Sequence, residues 1–160
     1  NNAGMQHRQP IEEFSDAEWL KLMDTNVNSA FFAARAVIPA MKARRSGKII
    51  NICSILSFIS RPSIVPYATS KGGLAMFTKG VAVELAAHNI QVNGIAPGFF
   101  VTPINEKMFV KNAEQILREI PLARTGGDDD LKGIAVLLAS DASNFMTGAV
   151  IPVDGGSTGW

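Results

Sequence analysis

The sequence of 160 residues is poor in the side chains that hold disulfides and metal ions. It contains one cysteine, Cys53, and two histidines. A single cysteine cannot form an internal disulfide, and this usage is typical of a reducing compartment, so we expect a cytoplasmic protein. Protein zinc sites need three or four ligands, mostly His and Cys, so the composition predicts no metal centre.

Long apolar runs and concentrated charge are also missing. No uninterrupted apolar stretch reaches the roughly 18 residues that a membrane helix needs, and no secretory leader pattern opens the sequence. The formal net charge is +1, and Arg44-Arg45 is the single basic doublet. We therefore expect neither a membrane nor a nucleic acid as a partner, because both need a stronger signal than this.

The third absence is a glycine-rich phosphate loop. A strand, a glycine-rich turn and a helix usually support a dinucleotide pyrophosphate. The chain has glycine doublets at Gly72-Gly73, Gly126-Gly127 and Gly155-Gly156, but none has the required spacing in that context. By itself, this sequence therefore predicts no pyrophosphate site.

Alternating apolar segments dominate what is present. Short apolar runs predict strands at residues 49–52, 90–95 and 149–153. Helical periodicity follows a capping box at Ser15 and Glu18 and ends near Ser46-Gly47. Further helices are predicted at residues 67–88, within 103–120 and at 128–140, the last with Asp128 to Asp130 at its N-terminal end. Strands alternating with helices predict a parallel sheet in one α/β domain.

The segment Tyr67-Ala68-Thr69-Ser70-Lys71 carries the strongest chemical signal. Tyr67 and Lys71 are four residues apart and share a helix face. The ammonium of Lys71 is predicted to lower the pKa of the Tyr67 phenol from about 10, which would suit proton exchange with a substrate oxygen. Ser54 follows the strand at 49–52, so its hydroxyl can face the phenol. Alone, the same spacing also describes an ordinary solvated surface pair.

Three further features occur in a fixed order around that segment. Asn1-Asn2-Ala3-Gly4 opens the chain, Asn26 lies in a helical stretch, and Pro97-Gly98-Phe99-Phe100-Val101-Thr102 follows a predicted strand. Together with the Tyr–Lys pair and Ser54, they resemble the short-chain dehydrogenase/reductase family over the whole chain. The resemblance implies the C-terminal part of a Rossmann-type doubly wound parallel sheet, strands five to seven of seven. It also implies that residues 1–160 are a single partial domain lacking the N-terminal βαβαβ half.

The same resemblance implies four catalytic residues. Tyr67 would exchange the hydroxyl proton, Ser54 would bind the substrate oxygen, and Lys71 would tune Tyr67 and bond the nicotinamide ribose. Asn26 would hold a helix kink and a water that relays protons from Lys71. Ser57 competes with Ser54, although the usual family spacing favours Ser54, and Asn28 competes with Asn26.

A nicotinamide cofactor, NAD or NADP, is implied as well, without an indication of which. Its contacts would be small or polar residues at the ends of strands, together with the tyrosine and lysine. They are Asn1, Ala3, Gly4, Tyr67, Lys71, Pro97, Gly98, Phe100 and Thr102.

The implied activity is reversible hydride transfer between this cofactor and a secondary alcohol or ketone. Segments 50–54, 88–98 and 139–145 resemble the sugar-acid branch of the family, the gluconate 5-dehydrogenases and 2-deoxy-gluconate 3-dehydrogenases, which implies gluconate or 5-ketogluconate. Arg8 would then bind the substrate carboxylate with its fork of donors, and Arg61 flanks the same region. His7 departs from the branch, which often has another arginine there.

Two alternatives remain open at this point. One is a 3-oxoacyl carrier-protein reductase or another carbonyl reductase, because these enzymes share nearly all the catalytic set. The other is an inactive chain that serves only in oligomerisation. The family resemblance implies a homo-oligomer, a tetramer or a dimer, built on the two long helices and the last strand.

Overall fold

A computed structural model describes residues 1–103 and 105–159 of the chain. Eight helices and strands follow one another within these residues, and a π-helix at Asp24–Asn28 joins the first two helices. They are α1 (Asp16–Met23), α2 (Ser29–Arg44), β1 (Gly47–Ile52), α3 (Val65–Leu85), β2 (Ile90–Pro97), α4 (Glu106–Arg118), α5 (Lys132–Ala139) and β3 (Val150–Val153). The alternation predicted from the apolar pattern is therefore confirmed.

The three strands form one parallel sheet in the order β1-β2-β3. Ile52 of β1 is paired in register with Ile95 of β2, and Pro97 of β2 with Val153 of β3. Every residue of the central strand β2 except Pro97 is buried. A strand buried on both faces is expected to be an almost continuous apolar run, but β2 also buries the polar side chains of Gln91 and Asn93.

Helices α2 and α3 cover one face of this sheet. The core between them and the sheet consists of Ala34, Ile49, Ala82, Leu85, Ile90 and Val92. Lys48 precedes Ile49 and points to the opposite face, because successive strand residues alternate. There its Nζ donates to the Ser143 hydroxyl at 3.2 Å and to Asn144 Oδ1 at 2.7 Å. The segment after α5 therefore covers the second face.

The two ends of the first helical region differ in how well they were predicted. At its start, the Ser15 hydroxyl accepts from Glu18 N at 3.3 Å, as a capping box requires. The helix ends at Arg44, near the predicted end, but the predicted capping role of Ser46-Gly47 is wrong, because Arg45 takes the left-handed conformation with φ 52°. Gly47 instead opens β1, where an added Cβ would lie 2.5 Å from the sulfur of Met41. A side chain at position 47 would therefore require the flexible Met41 side chain to shift.

Two later helices begin at other residues than predicted. Helix α3 begins at Val65, two residues before Tyr67, because a proline such as Pro66 fits a first helical turn, where its missing N–H is not needed. Helix α5 begins at Lys132 and not at Asp128. Asp130 accepts from Gly127 N at 2.7 Å and binds Arg124, so the acidic residues form a turn before the helix.

Candidate active site

The parallel strands bring the predicted site residues to one edge of the sheet. Ser54 follows the last residue of β1 by two positions, and Gly98 follows the last residue of β2. Strands β1 and β2 are adjacent and parallel, so both residues lie at their carboxyl ends, where open α/β sheets bind ligands. The first turns of α3 bring Tyr67 and Lys71 to the same edge.

Four side chains, here called the polar cluster, meet at this edge: Asn26, Ser54, Tyr67 and Lys71. Asn26 is 1% exposed, Lys71 4% and Ser54 8%, whereas Tyr67 is half-buried. The nitrogen of Lys71 lies 5.8 Å from the centroid of the Tyr67 ring. The structure thus brings all four predicted residues together in a largely desolvated environment.

The pKa values in this cluster differ from the sequence prediction. Burial raises the pKa of the Tyr67 phenol above its ordinary value of 10.0, and a hydrogen bond with Ser54 offsets part of that increase. Burial also lowers the pKa of Lys71, whose ammonium donates to the Ile52 carbonyl at 2.7 Å. The predicted lowering of the Tyr67 pKa by Lys71 is therefore wrong for this structure, because desolvation outweighs any attraction from the ammonium.

Asn26 is held by an unusual local backbone. It lies in the π-helix between α1 and α2, and such π-bulges are frequent at functional sites. Its Oδ1 accepts from Met5 N at 2.8 Å, and its Nδ2 donates to Met5 O and to Ser70 Oγ, both at 2.9 Å. Asn26 therefore joins the start of the chain to α3. Asn28, its competitor, donates only to the exposed Asp24 carboxylate.

The two candidate serines face different partners. Ser54 accepts from Leu56 N at 3.1 Å and lies near enough to the Tyr67 phenol to lower its pKa. Ser57 donates to the backbone carbonyl of Lys71 at 2.8 Å. The hydroxyl near the phenol is therefore that of Ser54, and Ser57 serves to hold the loop against α3.

The opening segment lies beside the polar cluster. Asn1 bonds β1 in the parallel pattern, because its nitrogen donates to Ile50 O at 2.8 Å and its carbonyl accepts from Ile52 N at 2.9 Å. Ala3 is exposed. A Cβ added to Gly4 would lie 3.6 Å from Lys71 Nζ and 3.8 Å from Asn26 Oδ1. Gly4 therefore lies directly beside the buried ammonium and the Asn26 amide.

The segment after β2 packs closely against the residues that follow β3 and against Gly126. A Cβ added to Gly98 would lie 2.6 Å from the Cα of Asp154, so packing between strand ends by itself requires glycine there. Pro97 is the last residue of β2, and the Phe100 ring rests on Gly126. The predicted role of these residues toward a nicotinamide stays a prediction.

Thr102 is exposed, and its backbone is fixed by a neighbouring amide. Thr102 N donates to Asn105 Oδ1 at 2.7 Å, while Asn105 Nδ2 donates to the Phe100 carbonyl at 2.8 Å. One asparagine just before α4 therefore holds both ends of this turn. Asn105 was not predicted, although asparagine at the N-cap position of a helix is a recognisable signal.

Three charged side chains form a group here called the arginine mouth: Arg8, Arg61 and Glu119. Arg8 follows Met5, which bonds Asn26, and Arg61 lies in the loop between Ser54 and Tyr67. The Gln9 N–H donates to the Ser63 carbonyl at 3.0 Å, which brings the segments of the two arginines together. Partial desolvation and the charge of Arg61 lower the pKa of Arg8. Arg61 forms an ion pair with Glu119. Glu119 was not predicted, because its partner is 58 residues away in the sequence.

His7 is directed away from these charges. Its Nδ1 lies 3.4 Å from Glu18 Oε1, its Nε2 lies 3.1 Å from Gln9 Oε1, and its ring packs edge-on against Phe14. These contacts connect the opening segment to the first turn of α1. His7, which stands where the sugar-acid branch often has an arginine, therefore has contacts that hold the local structure.

Ser70 is a second residue that the sequence analysis missed. It lies inside the Tyr–Lys segment, is fully buried, and donates to the Tyr67 carbonyl at 2.8 Å while accepting from Asn26. Its position three residues after Tyr67 was the available signal, because such neighbours share a helix face. Ser70 therefore links Asn26 to the backbone of the turn that carries the tyrosine.

Two further features are absent from residues 1–103 and 105–159. No helix there is long and apolar enough to cross a membrane. No group of three or more His, Cys, Asp or Glu side chains there could hold a metal ion.

A family profile described as enoyl-(acyl carrier protein) reductase matches residues 1–158, and the chain belongs to the short-chain dehydrogenase/reductase family.

Relatives specify the similarity further. The chain is 45% identical over 160 residues to gluconate 5-dehydrogenase of Gluconobacter oxydans, covering 99% of the chain and 62% of that relative. It is 46% identical over 158 residues to 5-keto-D-gluconate 5-reductase of Escherichia coli K12, covering 98% and 62%. The chain thus spans about three fifths of the length of these curated relatives.

A solved crystal structure has the same fold as this chain. The crystal structure of a gluconate 5-dehydrogenase from Burkholderia cenocepacia, in complex with NADP and tartrate, superposes with a TM-score of 0.96 at 43% identity. The match covers 99% of this chain and 63% of that one. The expected fold, part of a Rossmann-type parallel sheet with flanking helices, is therefore confirmed.

Proposed function

We propose that the protein is an NAD- or NADP-dependent oxidoreductase that interconverts a secondary alcohol and a ketone in a sugar acid. The observation that carries this proposal is the polar cluster, in which a half-buried phenol lies beside a buried serine and a buried ammonium. Such a grouping can bind a substrate oxygen and exchange its proton. Relatives named for gluconate and 5-ketogluconate support the choice of substrate.

The residues present fit the nicotinamide end of the cofactor. Lys71 has three donors, and the described contacts use one of them, to the Ile52 carbonyl. Gly4 leaves the space next to this ammonium free of a side chain. Lys71 can therefore bond a ribose hydroxyl, and Asn1, Ala3, Pro97, Gly98, Phe100 and Thr102 would form the walls of the site. When bound, the nicotinamide supplies or accepts a hydride at its C4.

The polar cluster supplies the proton chemistry in this mechanism. Ser54 donates to the substrate oxygen and orients it toward the Tyr67 phenol. Because burial raises the pKa of Tyr67, the phenol keeps its proton at neutral pH and can donate it to a ketone oxygen. Lys71 stabilises the phenolate that remains, and Asn26 fixes the π-helix beside the ammonium through Met5 and Ser70. In the reverse direction Tyr67 accepts the proton of the alcohol.

Arg8 is the residue that favours an acidic substrate. Its guanidinium presents parallel donors that match a carboxylate, and no ion pair of Arg8 occurs among the described residues. A carrier-protein reductase would not require a carboxylate partner at this position. Arg8 therefore favours a sugar acid over the 3-oxoacyl alternative.

We also propose a homo-oligomer located in the cytoplasm. Helices α2 and α3 expose large apolar side chains, which a partner copy would cover; they are Phe31, Phe32, Val37, Met76 and Val83. The single free cysteine, Cys53, is buried and suits a reducing compartment. Sedimentation velocity would measure the assembly, and Met76→Glu should weaken it.

A dehydrogenase assay on D-gluconate with NAD and with NADP tests the proposed reaction. Tyr67→Phe in the full-length protein should lower turnover by roughly 10²- to 10⁴-fold, because the phenolic proton is lost. The fold should be unchanged by circular dichroism. Near-normal turnover in this variant, or turnover of 3-oxoacyl thioesters with none of gluconate, would contradict the proposal.

A further inference from the structure

The arginine mouth holds two cations and one anion, and they are not equally paired. Arg61 forms an ion pair with Glu119, and both side chains are 39% exposed. Arg8 takes part in none of the ion pairs found in residues 1–103 and 105–159. The three side chains therefore carry a net charge of +1, located on Arg8.

Glu119 lies at a position that its own helix disfavours. It is the C-cap residue of α4, where the partial negative charge of the helix end repels a carboxylate. The ion pair with Arg61 offsets this repulsion. It also joins α4 to the loop between Ser54 and Tyr67, because Arg61 lies in that loop.

Building on the proposed function, we propose that Glu119 makes the site selective for substrates with one carboxylate. By holding Arg61, it leaves the single guanidinium of Arg8 for the acid group of a substrate. A second carboxylate on the same substrate would find Arg61 already paired and would meet the negative charge of Glu119. Glu119 acts through Arg61 and is therefore a positioning residue for substrate charge.

D-gluconate and D-glucarate make a matched test pair, because glucarate differs only in carrying a carboxylate at the other end. Their dissociation constants can be measured by calorimetric titration of the full-length protein with NADPH, and in parallel with NADH. Neither alcohol can be oxidised by a reduced cofactor, so this measurement does not depend on turnover. The wild-type protein is expected to bind gluconate more tightly than glucarate.

Glu119→Gln should release Arg61 and improve glucarate binding relative to gluconate by about fivefold, the effect of one partly exposed charge pair. The variant is expected to fold, because a neutral side chain suits a helix C-terminus better than a carboxylate. The double variant Arg61→Gln/Glu119→Gln should return the ratio to the wild-type value. Glu114→Gln is the matched control, because Glu114 pairs with Arg118 on the exposed side of the same helix.

The possible outcomes separate this inference from the proposed function. An unchanged ratio in Glu119→Gln, an equal shift in Glu114→Gln, or a shift that persists in the double variant would overturn the inference. If gluconate still binds the wild type and is lost in Arg8→Gln, the proposed sugar-acid function survives that result. Absence of gluconate binding by the wild type would overturn both.

Discussion

The polar cluster and the arginine mouth are held in different ways. Three of the four residues of the polar cluster are less than a tenth exposed, and several of them bond backbone atoms. The side chains of Arg61 and Glu119 are 39% exposed and held by their mutual charge. In the proposed function, the chemistry of the site would thus depend on buried hydrogen bonds and its choice of substrate on solvated charges.

This difference has an energetic consequence. Removing one partner of a buried hydrogen bond leaves the other unsatisfied at a cost of about 1–3 kcal/mol, whereas an exposed ion pair contributes about 0–1 kcal/mol. Substitutions in the arginine mouth should therefore change substrate preference at little cost in stability. Substitutions in the polar cluster should be costly for activity, stability or both.

The largest expected effect separates the two serines. Ser54→Ala should lower turnover by roughly 10²- to 10³-fold, because a donor to the substrate oxygen is lost. Ser57→Ala should change turnover by only a few-fold, since Ser57 bonds the Lys71 backbone. Steady-state kinetics on gluconate measures both. Equal losses in the two variants would remove the distinction between them.

Next in size is the pair Asn26 and Asn28. Asn26→Ala should lower the free energy of unfolding by about 2–4 kcal/mol, because Met5 N–H and C=O lose their partners in a buried region. Asn28→Ala should cost less than about 1 kcal/mol, since its one bond is exposed. Urea denaturation compares them, and an Asn26 variant as stable as the wild type would contradict the described contacts.

Two glycines test whether packing explains position 98. Gly98→Ala should destabilise the protein by about 1–3 kcal/mol, because the new methyl group would collide with Asp154. Gly80→Ala should stabilise the protein by up to about 1 kcal/mol. Gly80 lies in helix α3, and outside the neighbouring backbone of that helix no atom lies within 4 Å of the Cβ that alanine would add. Thermal unfolding measures both changes. If Gly98→Ala left the stability of the protein unchanged, the strand ends could separate without cost.

The smallest effect concerns proton binding by Tyr67. Its phenol should titrate above the ordinary value of 10.0, because burial raises its pKa. The folded pKa is the higher one, so its contribution to stability is complete below about pH 10 and is lost as the pH rises through the folded pKa. The absorbance of phenolate near 295 nm, taken as the difference between wild type and Tyr67→Phe, measures it. A titration below pH 10 would instead support control by Lys71.

Much of the site was predictable, because its signals are local or share one strand edge. Helix periodicity placed Tyr67 and Lys71 on one face, and a strand end placed Ser54 nearby. The direction of the Tyr67 pKa was not predictable, since it depends on how much protein surrounds the phenol. Asn26 was found by family resemblance, but its bonds to Met5 and Ser70 span 21 and 44 residues.

The sequence by itself determined the order of the helices and strands, the parallel sheet and the segment that carries the tyrosine and lysine. Those features follow from apolar periodicity and from spacing along one element, which act over a few residues. Only the tertiary structure decided that Arg61 pairs with Glu119, that Gly98 meets Asp154, and that Asn26 bonds Met5 and Ser70. Such contacts join distant residues, so their geometry exists only after the elements pack.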